Sequence, residues 1–128
     1  MFNAVLNKDM EQMKLTKSKE RVSEFGEVFT PEHIVLDMIK LIPDNNWCDK
    51  SFIVLEPTCG NGNFVVEVIQ KKIDSGLTLY DALNTTFGMD IMHDNIQECI
   101  DRILIRFVIN KVPKKQYQFV SKSFEHPS

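Results

Sequence analysis

No Cys-x-x-Cys pair occurs among the three cysteines, Cys48, Cys59 and Cys99, and their number is odd. That excludes a disulfide framework and the common zinc motifs, and fits reduced intracellular thiols. The three histidines, His33, His93 and His126, are equally scattered. Basic charge is also short: 15 Lys and Arg stand against 18 Asp and Glu, for a net charge of −3. A chain that held nucleic acid by charge alone would be basic, so this one is not expected to be the main electrostatic anchor of such a complex. No apolar run approaches the ~20 residues needed to span a bilayer, and the N-terminus lacks a signal-peptide core. A cytoplasmic location with no membrane partner is expected. There is no internal repeat and no low-complexity tract. Only five glycines are present, none in a Gly-Lys-Ser/Thr sequence, which excludes a P-loop.

What is present suits one globular domain. The 128 residues are 43% hydrophobic, enough for one core and not for two. Residues 1–24 are read as an N-terminal arm or helix and 25–128 as the domain. A short helix is predicted at Ala4 to Leu15. The charged stretch Lys14 to Glu24, with Lys17, Lys19 and Arg21, reads as a solvated arm, the alternative being a phosphate-contacting one. Thr30 is expected to cap a helix opened by Pro31, with Ile34, Val35, Met38, Ile39 and Ile42 as its buried stripe. Pro43 should end it and begin a polar loop to Lys50.

Phe52-Ile53-Val54-Leu55 is a continuous apolar run, suited to a strand covered on both faces. A turn with two glycines follows, then a predicted helix from Phe64 to Ile73 that Gly76 should stop. Thr78 should cap a short helix through Leu83. Thr85 to Asp90 reads as a second strand ending in an acid. Asp94 to Gln97 has the form of a capping box, opening a helix with Ile96, Cys99, Ile100, Ile103, Leu104, Phe107 and Val108 on one face. Lys111 to Lys115 reads as a solvated basic loop, and Tyr117 to Val120 as a third strand. Alternation of helix and strand is the pattern of half a doubly wound α/β sheet. Ligands of such sheets sit at the carboxyl ends of the strands, where Glu56 and Asp90 both fall.

Those two acids narrow the ligand. In "VLEPTCGNGNF", residues 54 to 64, a phosphate would meet Glu56 and be repelled. A ligand with an ammonium group and a ribose suits the pair better. Glu56 would accept hydrogen bonds from the ammonium, Gly60 and Gly62 would let the backbone approach, and Asp90 would take the ribose hydroxyls. Ile91 would pack on a purine face. S-adenosylmethionine (SAM) has these groups. NAD does not suit the site, because the third glycine of the dinucleotide pattern is missing. The simpler alternative is that Gly60 and Gly62 only make a tight strand-to-helix turn. Cys59 is expected to pack as a small residue under that turn, not to act as a nucleophile.

Taken together, "GEVFTP", "VLEPTCGNGNF" and "FGMDIMHDNIQECIDRI" resemble the amino-terminal half of gamma-class N6-adenine DNA methyltransferases, closest to the methylase (M) subunits and domains of restriction–modification systems. The resemblance covers roughly residues 21–108. It implies a partial Rossmann-like SAM-dependent methyltransferase fold with three parallel strands and flanking helices. It also implies that Thr30 contacts the amino-acid end of SAM, that Glu56 lies near the methionine ammonium, and that Pro57, Cys59, Gly60, Gly62 and Phe64 complete the loop. Asp90 would hold the ribose, with Ile91 beside the adenine ring.

The sequence departs from that family twice. Ser123 stands where an acid that reads the SAM adenine is expected, and a neutral hydroxyl bonds more weakly than a carboxylate. The family's Asn/Asp-Pro-Pro-Tyr/Phe motif, which holds the flipped target adenine, has no counterpart, since no Pro-Pro occurs. No catalytic residue is therefore assigned, Glu125 and His126 included. The expected function is one piece of a split or truncated methylase, reaching DNA through a partner subunit. The alternative is a non-catalytic SAM-binding, decoy or interaction module of phage or mobile-element origin. The apolar edge of the first strand predicts a homodimer or docking on a larger protein.

Overall fold

The computed structural model describes residues 15–25 and 27–111. The remainder of the helix expected from Ala4, the basic residues Lys114 and Lys115, the third strand at Tyr117 to Val120, and Ser123, Glu125 and His126 lie outside the described residues.

The described chain is mixed α/β. Helix α1 (Lys19–Phe25) leads into α2 (Glu32–Lys40) and α3 (Asp44–Trp47). Strand β1 (Val54–Glu56) precedes α4 (Asn63–Asp74) and α5 (Leu79–Asn84). Strand β2 (Thr86–Gly88) then precedes α6 (His93–Ile103). A π-helical turn, Leu104–Val108, and a 3-10 turn, Ile109–Lys111, prolong α6. The two strands are parallel, with Val54 opposite Thr86, Leu55 opposite Phe87 and Glu56 opposite Gly88. Parallel pairing requires a crossover, here supplied by α4 and α5. Among the described residues no helix is long and apolar enough to cross a membrane.

Several local expectations hold. Thr78 caps α5, its Oγ1 accepting the Asp81 N–H at 3.1 Å. Gly76, at φ +112°, follows the end of α4. Others are corrected. Pro31, with an extended ψ of 150°, occupies the cap position of α2, so Thr30 is not the cap. Its carbonyl instead accepts the Asn63 side-chain amide at 2.9 Å. In α2 only Val35 and Ile39 are buried; Ile34 and Met38 stay largely exposed. The segment expected as a polar loop after Pro43 contains α3, because Trp47 turns inward, fully buried and edge-on to Phe52. It joins Val35, Ile39 and Val68 in one apolar cluster. The capping box fails as well: Met92 takes the cap position of α6 without a side-chain cap, and Asp94 is drawn away by Arg21 and Lys17. Within the stripe expected on α6, Cys99 and Phe107 are buried, but Ile100 is exposed.

The solvated-arm reading also needs correction. Ser18 accepts the Arg21 N–H at 3.1 Å and so starts α1, which runs across the expected boundary at residue 24. Arg21 itself is only 18% exposed and is tied to Asp94 and Glu27.

A second cluster, around Cys59, Val65, Val66, Ile69, Ala82 and Cys99, fills the space between α4, α6 and the sheet. It covers one face of the strands. A Cβ built on Gly88 would lie 3.0 Å from Cys59 Cβ and 3.2 Å from Val65, so a side chain there would crowd the close approach of β2 to α4. The opposite face carries Ile53, Leu55, Phe87 and Met89, all exposed. Among the described residues β1 is therefore covered on one face, not two as its composition predicted. At the amino ends of both strands lies Lys72, fully buried. Its ammonium donates to the Phe52 carbonyl at 2.8 Å, the Thr85 carbonyl at 2.9 Å and Thr85 Oγ1 at 2.8 Å.

Candidate functional site

Past Glu56 the chain turns sharply to enter α4. Two backbone bonds tie this turn to the end of β2: Cys59 N–H donates to the Met89 carbonyl at 2.7 Å, and Met89 N–H donates to the Glu56 carbonyl at 2.9 Å. Gly60 has φ +54° and Gly62 φ +94°, a region open to glycine and costly for other residues. Space is equally restrictive. A Cβ on Gly60 would stand 2.8 Å from the Phe29 ring, and one on Gly62 would stand 2.7 Å from Cys99 Sγ. Arg102 secures the far side of the turn, donating to the Asn61 carbonyl at 3.0 Å and to Asn63 Oδ1 at 2.8 Å.

Beside the turn lies a cleft of about 450 Å³, within the usual range for small-ligand sites. Thr30, Glu56, Pro57, Cys59, Gly60, Phe64, Asp90 and Ile91 all line it. Gly62, also expected there, packs instead on Cys99. Glu27, Val28, Phe29, Met38, Thr58, Asn61, Asn63 and Met92 complete the lining. Sequence reading missed these, although Glu27, Val28 and Phe29 stand inside the Gly-Glu-Val-Phe-Thr-Pro stretch already singled out.

The acids differ in how far they are engaged. Glu56 Oε1 accepts the Thr58 N–H and hydroxyl, each at 3.1 Å. Among the described residues no group bonds its Oε2. Asp90 Oδ2 accepts the Gly60 N–H at 3.0 Å. Its Oδ1 accepts the Met92 N–H at 2.8 Å and the Asn95 amide at 3.4 Å. A carboxylate has about four acceptor sites, so Asp90 joins the glycine turn to the start of α6 and keeps roughly one site free.

Glu27 is held by Arg21, with Nε 2.8 Å from Oε1 and Nη2 2.9 Å from Oε2, and by the Asn95 amide at 2.7 Å. Asn95, fully buried, thus links Glu27 to Asp90, and its own Oδ1 accepts from Arg21 Nη2 at 3.3 Å. Arg21 also reaches Asp94 at 2.7 Å. This partner holds the Asp94 carboxyl well below the usual range, and the same pairing raises Arg21. Glu27 therefore has its counter-cation. No ion pair among the described residues reaches Glu56 or Asp90. Two carboxylates without a cation, on one small cleft, favour a cationic ligand there.

An acid-lined glycine turn at the carboxyl ends of parallel strands stands where α/β proteins of this class take their ligands. The particular family is shown by comparison: residues 7–116 match the family model described as N-6 DNA methylase, and the chain belongs to that family. Its function is accordingly DNA adenine methyltransferase-like. No curated protein and no solved structure matches the chain.

Proposed function

We propose that this chain is the SAM-binding part of a gamma-class N6-adenine DNA methyltransferase of the restriction–modification type, and that the cleft beside the glycine turn takes SAM. The observation that carries this reading is the pair of carboxylates, Glu56 and Asp90, uncompensated by any described cation on a cleft of about 450 Å³. The residues present suit the ligand. Glu56 Oε2 would receive the methionine ammonium, with Thr30 at the same amino-acid end. The free acceptor site of Asp90 would receive a ribose hydroxyl. A second hydroxyl would displace the Asn95 amide, whose bond is the longest of the three at 3.4 Å. Ile91, 77% exposed at the cleft, would cover the purine. Bound there, SAM supplies an electrophilic methyl group for transfer to an amine.

Target-base binding is assigned to residues beyond this sequence, which contains no Asn/Asp-Pro-Pro-Tyr/Phe motif. The same observation supports the second reading, a SAM-binding decoy or interaction module without transferase activity. In either case the strand face that the described residues leave open suits a homodimer or a larger partner, through which DNA would be reached in the cytoplasm.

Calorimetry tests the site. Wild type is expected to bind SAM or S-adenosylhomocysteine with micromolar or weaker affinity. Asp90→Ala should lose about 1.5–3 kcal/mol, the range for a hydrogen bond to a charged group. Equal heats for the two proteins would remove Asp90 from the site. With labelled SAM and an adenine-rich duplex, the chain alone is expected to transfer no methyl group; protein-dependent N6-methyladenine would overturn the assignment of the transfer step to a partner.

A further inference from the structure

Helix α1 contributes no residue to either apolar cluster, yet Arg21 on it is tied down along both edges of its guanidinium. Nη1 and Nη2 donate to the two Asp94 oxygens at 2.7 and 3.1 Å. Nε and Nη2 stand 2.8 and 2.9 Å from the two Glu27 oxygens. Carboxylates on both edges fix the plane of the fork, and Nη2 is left facing Asn95 Oδ1 at 3.3 Å. Asn95 is fully buried, so its amide has no water to turn to. With its oxygen on Arg21, its nitrogen faces the acids, donating to Glu27 Oε2 at 2.7 Å and to Asp90 Oδ1 at 3.4 Å. The orientation of this amide is therefore set from α1.

Charge acts in the same direction. Glu27 and Asp90 share one amide, and two carboxylates so placed repel each other; the Arg21 cation offsets Glu27. Without that cation Glu27 would draw the Asn95 nitrogen to itself and push Asp90 away. Asp90 in turn holds the Gly60 N–H at 3.0 Å and the Met92 N–H at 2.8 Å. The position of its carboxylate is thus readable at two backbone amides. Neither Arg21 nor Asn95 lines the cleft.

We propose that Arg21 is a positioning residue of the cleft: from α1, through the buried Asn95 amide, it fixes the carboxylate of Asp90. Docking of α1 and binding of a ligand at Asp90 are then coupled, and by linkage each favours the other. Where a ribose hydroxyl takes the place of Asn95 on Asp90, the amide keeps its shorter bond to Glu27, and α1 stays docked. The coupling rests on the reading of the cleft as a SAM site; the positioning of Asp90 does not.

Arg21→Gln is the test variant, since α1 lies outside both clusters and the core keeps its packing. Exchange of single amides is followed by NMR in the ligand-free chain. Gly60 and Met92 should exchange at least about fivefold faster than in wild type, the lower end of couplings between sites. Val68 and Ile69, buried within α4, should keep their rates. Arg21→Lys keeps the charge and gives up the fork that reaches Asn95; the same two amides should speed up, by less, and wild-type rates there would overturn the role of the fork. Unchanged Gly60 and Met92 rates in Arg21→Gln overturn the proposal. An equal rise at all four amides does so too, because it makes α1 a general support of the fold. In calorimetry, S-adenosylhomocysteine should bind Arg21→Gln at least about fivefold more weakly than wild type; equal affinities overturn the coupling. Should wild type give no heat, the SAM reading of the cleft fails, and the amide rates still decide the role of Arg21.

Discussion

Gly62 is held by two separate constraints, its left-handed φ of +94° and the Cys99 thiol where a Cβ would stand. Gly76 carries only the first: its φ is +112°, and a Cβ there would meet nothing within 4 Å. The two positions therefore separate strain from crowding. Gly76→Ala should cost the left-handed penalty of about 1–2 kcal/mol. Gly62→Ala should cost that plus overpacking of about 1–3 kcal/mol. Urea denaturation of both variants measures the difference; equal midpoints would mean that Cys99 moves aside freely. Asn95 shows the same economy in a polar residue. One buried amide satisfies Glu27 and Asp90 together, so the cleft acids are positioned from α6 as well as from their own loops.

Among the elements, α4 carries the most unusual contact. Lys72 gathers the carbonyls that precede each strand, Phe52 and Thr85, and so fixes the register at the end opposite the cleft. It does so without a described carboxylate partner, and burial lowers its pKa from the ordinary lysine value. The sign of the pH effect follows. Between the lowered folded pKa and the ordinary value of about 10.4, the unfolded chain binds more protons than the folded one. Stability then rises with pH across that window. The penalty for a buried charged amine is fully present below the window and fades within it. Lys72→Met should abolish this alkaline gain. It should also lower stability by about 1–3 kcal/mol, since three acceptors lose their donor. Urea midpoints at neutral and alkaline pH check both effects; an unchanged alkaline gain in the variant would place the titrating group elsewhere.

For the whole molecule the decisive feature is the sheet face that the described residues leave uncovered. Leu55 and Phe87 are in register and exposed, with Ile53 and Met89 continuing the row on either side. Contiguous apolar patches of several hundred Å² rarely stay bare in soluble proteins, and among the described residues β1 also keeps a free backbone edge. Association is therefore expected at micromolar concentration, seen as a mass above the monomer in light scattering. Leu55→Glu should return the monomer without touching the cleft lining. A monodisperse wild-type monomer, with the amides of Phe52 to Leu55 protected from exchange, would mean that the edge is covered from within the chain.

What the sequence determined by itself lies within short windows. The α4 and α5 helices, the Thr78 cap, the glycine turn and the acids at both strand ends follow from residues a few positions apart. Periodicity, capping and left-handed turns act over that range. The tertiary structure decided the rest. Arg21 reaches Asp94 across 73 positions, and Asn95 reaches Glu27 across 68. These contacts remove Asp94 from its expected capping role, tie the expected solvated arm to α6, and give Glu27 a counter-charge that Glu56 and Asp90 lack among the described residues. Trp47 likewise converts a polar loop into a helical turn by burying its ring. Burial and charge pairing between distant segments depend on which surfaces meet, and no local pattern of residues contains that information.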